Sequence, residues 1–220
     1  RRTQDWLAEP VQRIAQDAKS PIYILAATQT RLSDIAEGEV VASPNDIARL
    51  GFAVAAAVKG ETVTGLADDA KAFAQTIADT LKAAKKPLII SGTSLQDASI
   101  MEAAAQVAQN LGNAGLTLTV PEVNSMGLAI FGGQSLEQAF AQDFDTVVVV
   151  ENDLYRRLPA AQVDAALAGK EVIVLDHSET ATVAQANIVL SAASFAEGDG
   201  TVVSQEGRAQ RFYQVYDPSY

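Results

Sequence analysis

Cysteine is missing from this 220-residue chain, and histidine and tryptophan occur once each. Without a thiol there is no disulfide framework, zinc-thiolate site, cysteine nucleophile or cysteine-ligated iron–sulfur cluster. One histidine, His177, cannot supply the pair that an H-E-x-x-H zinc motif needs. Basic residues are also scarce: 16 Lys and Arg against 27 Asp and Glu leave a net charge of −11. That balance argues against nucleic acid as a direct partner, because neutralising phosphates takes a basic face, and it favours solubility. No apolar run approaches the ~20 residues of a bilayer-spanning helix, and no signal-peptide pattern opens the chain, so no direct membrane insertion is expected. Lack of cysteine fits a cytoplasmic protein. Nor is there an initial Met: "RRTQDW" reads as an interior stretch, and the chain is expected to be a piece of something longer.

Nucleotide and hydrolase signatures are absent as well. Gly169-Lys170 lacks the P-loop spacing and is followed by Glu171. No strand is followed by G-x-G-x-x-G, and no G-x-S-x-G elbow occurs.

What is present is an alternation of two periodicities. "PIYILAA" and "EVVAS" read as strands, the first as a buried one. The next segment carries helix punctuation: Ser43 as N-cap, Pro44 at the first position, Asp46 to complete a capping box, and Gly60 as terminator. Its stripe is Ile47, Leu50, Val54 and Val58. A second helix shows Ala70, Phe73, Ile77, Leu81 and Ala84 on one face and ends at Lys85-Lys86. After the strand "KPLIISG", Ser94 and Asp97 open a third helix with the stripe Ile100, Ala104, Val107 and Leu111 before Gly112. "LTLTV" follows, then a glycine-bearing loop, "PEVNSMGLAIFGGQS". The short helix "SLEQAF", the strand "DTVVVVEND", which reads more clearly than any other as a buried one, the helix "PAAQVDAALAG", the strand "KEVIVLD", a helical turn "TATVAQA" and the strand "IVLSAA" complete the series. Alternating strands and helices imply an α/β fold with a layered, largely parallel sheet and flanking helices. The punctuation permits a division into residues 1–86 and 87–220 within one domain.

The chain closes on "AEGDGTVVSQEGRAQRFYQVYDP", which reads as turns and strands. Asp199-Gly200 carries the signal of a two-residue turn between "IVLSAASFAE" and "TVVS", and Glu206-Gly207 marks a second turn before an extended "RAQRFYQVY".

Candidate chemistry sits beyond strand ends, where α/β sheets present ligand groups. His177 is placed to act as a base or a pH-sensitive contact, or to serve as a hydrogen-bonded loop residue. Glu151 and Asp153 suit Mg²⁺ or acid–base work, or simply end their strand in water beside Arg156 and Arg157. The loop from Val123 to Gly133, with Gly127, Gly132 and Gly133, lines a cleft or packs as a connector.

"SPNDIARLGFAVAAAV", "VNSMGLAIFGGQSLEQAF", "VVVVENDLYRR" and the whole run from "VIVLDHSET" to "FYQVYDP" resemble the molybdopterin-oxidoreductase domain family. Within it they are most similar to the large peripheral-arm subunits of respiratory complex I, the G subunits of NADH-quinone oxidoreductase. The resemblance implies a formate dehydrogenase/DMSO reductase-like layered fold closed by a turn-and-strand segment. Its signature falls on Asp176, Glu179, Thr180, Ile188 to Leu190, Glu197, Gly200, Thr201, Glu206, Gly207, Arg208 and Gln210. Pterin enzymes of the family carry Gly-x-Asn-Pro at a strand end; here it reads Val150-Glu151-Asn152-Asp153, and the added carboxylate repels a pyrophosphate.

The resemblance therefore implies a scaffold with no catalytic residue, no metal and no cofactor of its own. The parent chain's iron–sulfur clusters are expected outside it, and the parent complex transfers electrons from NADH to quinone. Expected partners are the other peripheral-arm subunits and the cluster-bearing N-terminal part of the same chain, on the cytoplasmic side of the inner membrane. The alternative is a fragment of an active molybdopterin-dependent oxidoreductase that binds the guanine nucleotide through Asn152, Asp176 and His177. A weaker, generic likeness links Ala84 to Val120 with the central domain of thiamine-diphosphate enzymes. With no pterin expected, Glu206, Arg208 and Gln210 are predicted to bond the chain's own loops, including the Gly132-Gly133 region.

Overall fold

The computed structural model describes residues 11–13 and 19–217, so the opening "RRTQDW" lies outside the described residues. The chain divides into two units, one ending at Met126 and one beginning at Gly127. The sequence punctuation permits a subdivision at Lys86 within one domain. Val107 of the third helix shares a core with Leu50 and Val54 of the first.

In the first unit, β1 (Tyr23–Ala26) pairs in parallel with β2 (Gly38–Val41). Helix α1 (Pro44–Lys59) starts where the Ser43 side chain accepts the Asp46 amide and stops at Gly60, whose φ of 83° leaves the helical region. A glycine adopts that left-handed geometry without the Cβ penalty. Every residue of the predicted stripe, Ile47, Leu50, Val54 and Val58, is buried. Helix α2 (Asp68–Ala83) buries Ala74, Ile77 and Ala78, with Ala70, Phe73 and Leu81 packed around them. Strand β3 (Leu88–Gly92) pairs in parallel with β4 (Gly115–Thr119).

Helix α3 (Ala98–Leu111) begins later than Ser94 suggested: Asp97 is its N-cap and accepts the Ser99 amide. Gln96, with φ of 55°, holds a left-handed conformation that keeps residues before Asp97 out of the helix. Its buried residues are Ala103 and Val107. The two helices approach closely at Gly51, where a Cβ would sit 2.9 Å from that of Ala103. The Asn110 amide donates to the Ala55 carbonyl at 2.9 Å and ties α3 to α1.

The expected loop "PEVNSMGLAIFGGQS" contains a helix, α4 (Ser125–Phe131). Its core holds no proline, and the glycines that would end it, Gly132 (φ 74°) and Gly133 (φ 138°), come immediately after.

The second unit is built on a three-stranded parallel sheet in the order β5 (Thr146–Val150), β6 (Glu171–Asp176), β7 (Ile188–Ser191). Val147 pairs with Val172, Val149 with Val174, and Val174 with Val189. Helix α5 (Leu136–Phe140) has a full capping box between Ser135 and Gln138. Helix α6 (Ala160–Leu167) places Val163 and Leu167 against Val149, Val172 and Val174. The "TATVAQA" turn is a single helical turn over Val183–Gln185.

The chain then forms an antiparallel pair, β8 (Gly200–Val203) and β9 (Ala209–Phe212). The tight turn lies at Glu206-Gly207, where Gly207 has φ of 80° and donates to the Ser204 carbonyl at 2.9 Å. Asp199-Gly200 is not a turn between two paired strands. β7 pairs with β6 instead, and Gly200 is the first residue of β8, opposite Phe212. The parallel pairs β1–β2 and β3–β4 and the parallel β5–β6–β7 sheet, with their flanking helices, make this an α/β fold, and only the closing hairpin is antiparallel. No helix among the described residues is long and apolar enough to cross a membrane.

Candidate functional site at the strand ends of the second unit

β5 and β6 run side by side, so the segments after Val150 and after Asp176 emerge at the same sheet edge. The Glu151 amide donates to the Leu175 carbonyl at 2.8 Å and prolongs the ladder by one bond. Beyond it the chain turns sharply, because Glu151 has φ of 48°. A non-glycine residue in that region is held there against its preference by its surroundings.

Asn152 and Asp153 do different work. The Asn152 side-chain oxygen accepts from Arg157 Nε at 3.0 Å. Asp153 Oδ1 accepts the Tyr155 amide at 3.3 Å and the Thr182 hydroxyl at 2.9 Å. Thr182 is fully buried, and its hydroxyl oxygen also accepts the Leu154 amide at 2.8 Å. A buried hydroxyl with both its donor and acceptor capacities used is a fixed pin. It joins the segment after β5 to the turn after β6. Tyr155 extends the network by donating to Asp164 at 2.6 Å, which pushes the phenol up to about 12.

Asp176 is nearly buried at the end of β6, and its Oδ1 accepts the Ser178 amide at 2.9 Å. His177 is exposed, with Nδ1 3.6 Å from that same oxygen. Glu197 accepts the Ser194 hydroxyl at 2.7 Å and the Ser194 amide at 2.9 Å. Those two bonds hold its carboxyl below the ordinary glutamate range. Thr180 caps the turn at Val183, while the Glu179 side chain is exposed.

The structure thus gathers Glu151, Asn152, Asp153, Asp176 and His177 at neighbouring strand ends. It does not gather three or more ligand-type side chains into a metal-holding cluster among the described residues. The edge is acidic, and Asn152 already has a partner in Arg157. Three carboxylates at one edge, Glu151, Asp153 and Asp176, oppose an anionic ligand such as a pyrophosphate.

The closing signature behaves differently from expectation. Arg208 meets Ser204 through backbone groups: Ser204 N donates to the Arg208 carbonyl at 3.0 Å, and Arg208 N to the Ser204 hydroxyl at 3.3 Å. The side chains of Glu206, Arg208 and Gln210 are exposed on this two-stranded hairpin. The hairpin is fastened from its other end, where Asp199 Oδ1 accepts the Gln214 amide and Ala196 accepts that of Val215 at 2.8 Å. Gly200 and Thr201 open β8 beneath it.

Thr182 and Ser194 both help to order this edge, and neither was singled out in the sequence, where Glu197 stood only as part of the family signature. For Ser194 the Ser-x-x-Glu spacing was a visible signal. For Thr182 there was none, since its partner lies in a distant segment.

The family model for molybdopterin oxidoreductase matches residues 60–220. Over its whole length the chain is 55% identical to the G subunit of NADH-quinone oxidoreductase from Pseudomonas putida and 53% identical to that from Pseudomonas fluorescens. The Escherichia coli K12 protein of the same name is 47% identical over 98% of the chain. In each case the match spans 25% of the relative's length. With nearly three quarters of its residues under that model and an α/β frame to match, the chain belongs to the molybdopterin oxidoreductase family.

Proposed function

We propose that residues 1–220 form a non-catalytic scaffold within a subunit of NADH-quinone oxidoreductase, supporting electron transfer from NADH to quinone by the parent complex. The observation that carries this reading is the end-to-end identity of 55% with a G subunit of that complex. The acidic edge around Glu151 and Asp176 and the lack of any thiol favour support over redox work. Iron–sulfur clusters and flavin belong elsewhere in the assembly, and this portion holds no cofactor. Its partners are other peripheral-arm subunits and the cluster-bearing part of the same polypeptide, on the cytoplasmic face of the membrane.

The test uses the assembled complex with Asn152→Ala, Asp176→Asn and His177→Ala introduced singly. NADH:quinone turnover per assembled complex is expected to stay unchanged, with molybdenum absent by elemental analysis. Loss of turnover with intact assembly, or stoichiometric molybdenum, would overturn the proposal. The family match keeps one competitor: a pterin enzyme binding a guanine dinucleotide at the same edge. Calorimetric heat on titrating that dinucleotide into the protein would favour the competitor.

A further inference from the structure

The two faces of the β5–β6–β7 sheet differ in cover. On one face Val172 is 2% exposed and Val174 0%, beneath Val163 and Leu167 of α6. On the other, Val148 is 58% exposed, Val150 61%, Ile188 44% and Leu190 50%, with Ile173 and Leu175 between them. This is a continuous apolar surface on a parallel sheet, and parallel sheets are stable with both faces covered. The chain's own connections cannot supply the cover. β5 to β6 to β7 advances in one direction across the sheet, and right-handed crossovers put every connecting segment on the same side. A crossover layer on the bare face comes with strands that extend the sheet from β5 in the opposite direction. Among the described residues β5 is an edge strand, so that position is open.

We infer that the bare face is an internal docking surface. It receives a strand–helix segment of the same polypeptide lying outside residues 1–220, with the strand pairing to the free edge of β5 and the helix covering Val148, Val150, Ile188 and Leu190. The relatives supply the chain for this, since the whole of this sequence matches only 25% of their length. An intramolecular segment is favoured over a second copy because the open edge and the bare face need different elements, a parallel strand and an apolar helix. The inference needs a longer polypeptide but not a role in electron transfer, so it stands or falls separately from the proposal above.

Two measurements test it in the full-length gene product and in the 220-residue chain. Amide hydrogen exchange across Thr146–Val150 and Ile188–Ser191 is expected to slow by about tenfold or more in the full-length product. Val148→Asp is expected to lower the melting temperature of the full-length product and to leave the shorter chain's nearly unchanged. Val172→Asp, on the covered face, serves as a control that destabilises both. Equal exchange in the two proteins, or no effect of Val148→Asp in the longer one, would sink the inference. So would a discrete dimer of the shorter chain dissolved by Val148→Asp, or a gene product with no further segment.

Discussion

Phe212 lies across the hairpin from Gly200, and its ring fills the space that a side chain on Gly200 would need. A glycine in a strand has no side chain to pack and is ordinarily a weakness. Here it gives an aromatic residue a place to pack on a two-stranded ribbon with little other cover. Gly200→Val is expected to destabilise the unit by about 1–3 kcal/mol, as overpacking does. Gly200→Val with Phe212→Ala should recover part of that loss, and urea denaturation of the set reads the coupling.

Thr182 offers a sharper case, because its hydroxyl is both donor and acceptor out of contact with water. Thr182→Val keeps the shape, strands the Leu154 amide and leaves Asp153 Oδ1 with the Tyr155 amide alone. The expected cost is about 1–3 kcal/mol. Thr182→Ser, which keeps the hydroxyl, should cost less than Thr182→Val in the same unfolding assay.

Acid should reveal Glu197. Its carboxyl lies below the ordinary value of 4.5 in the folded chain, chiefly through the Ser194 hydroxyl and then the Ser194 amide. Its contribution is therefore fully present above that value and is lost as pH falls through the depressed one. Glu197→Gln is expected to flatten the acid limb of the stability curve. An unaltered acid limb in thermal melts would refute the assignment.

Alkali tests Tyr155 with the opposite sign. Its hydrogen bond to Asp164 favours the neutral phenol and raises it to about 12 from 10.0. The stabilisation is present below 10 and disappears as pH rises toward 12. Ultraviolet titration should show one tyrosine ionising late, and Asp164→Ala should bring it back toward the ordinary value.

At the start of α1, Ser43→Ala removes the acceptor for the Asp46 amide. A cost of about 1 kcal/mol is expected, with Ser43→Asp close to neutral. Helical ellipticity followed through a thermal melt measures it.

Periodicity and capping made α1 readable almost to the residue, since Ser43, Pro44 and Gly60 act within one turn of each helix end. Where the deciding contact was distant, reading failed. Asp199-Gly200 has the local chemistry of a turn, but the β-sheet partner of residues 188–191 is β6, and that overrides it. "VVVV" suggested a strand buried on both faces, whereas only Val149 of β5 is buried. The strand ends at Glu151, Asn152 and Asp176 were visible as a place. The pin that orders them, Thr182, was not, because nothing beside it in the sequence names Asp153.

The bare sheet face also bears on the protein before it is finished. Thr146–Val150 is a short, uncharged β-forming segment without proline, the kind that stacks between nascent chains in register. It is bracketed by Asp143 and Asp145 on one side and by Glu151 and Asp153 on the other. In a parallel stack each carboxylate would lie about 4.8 Å from its own copy above and below, so the brackets penalise self-association most where the valines invite it. Part of the −11 charge thus sits where it opposes in-register stacking of the valines.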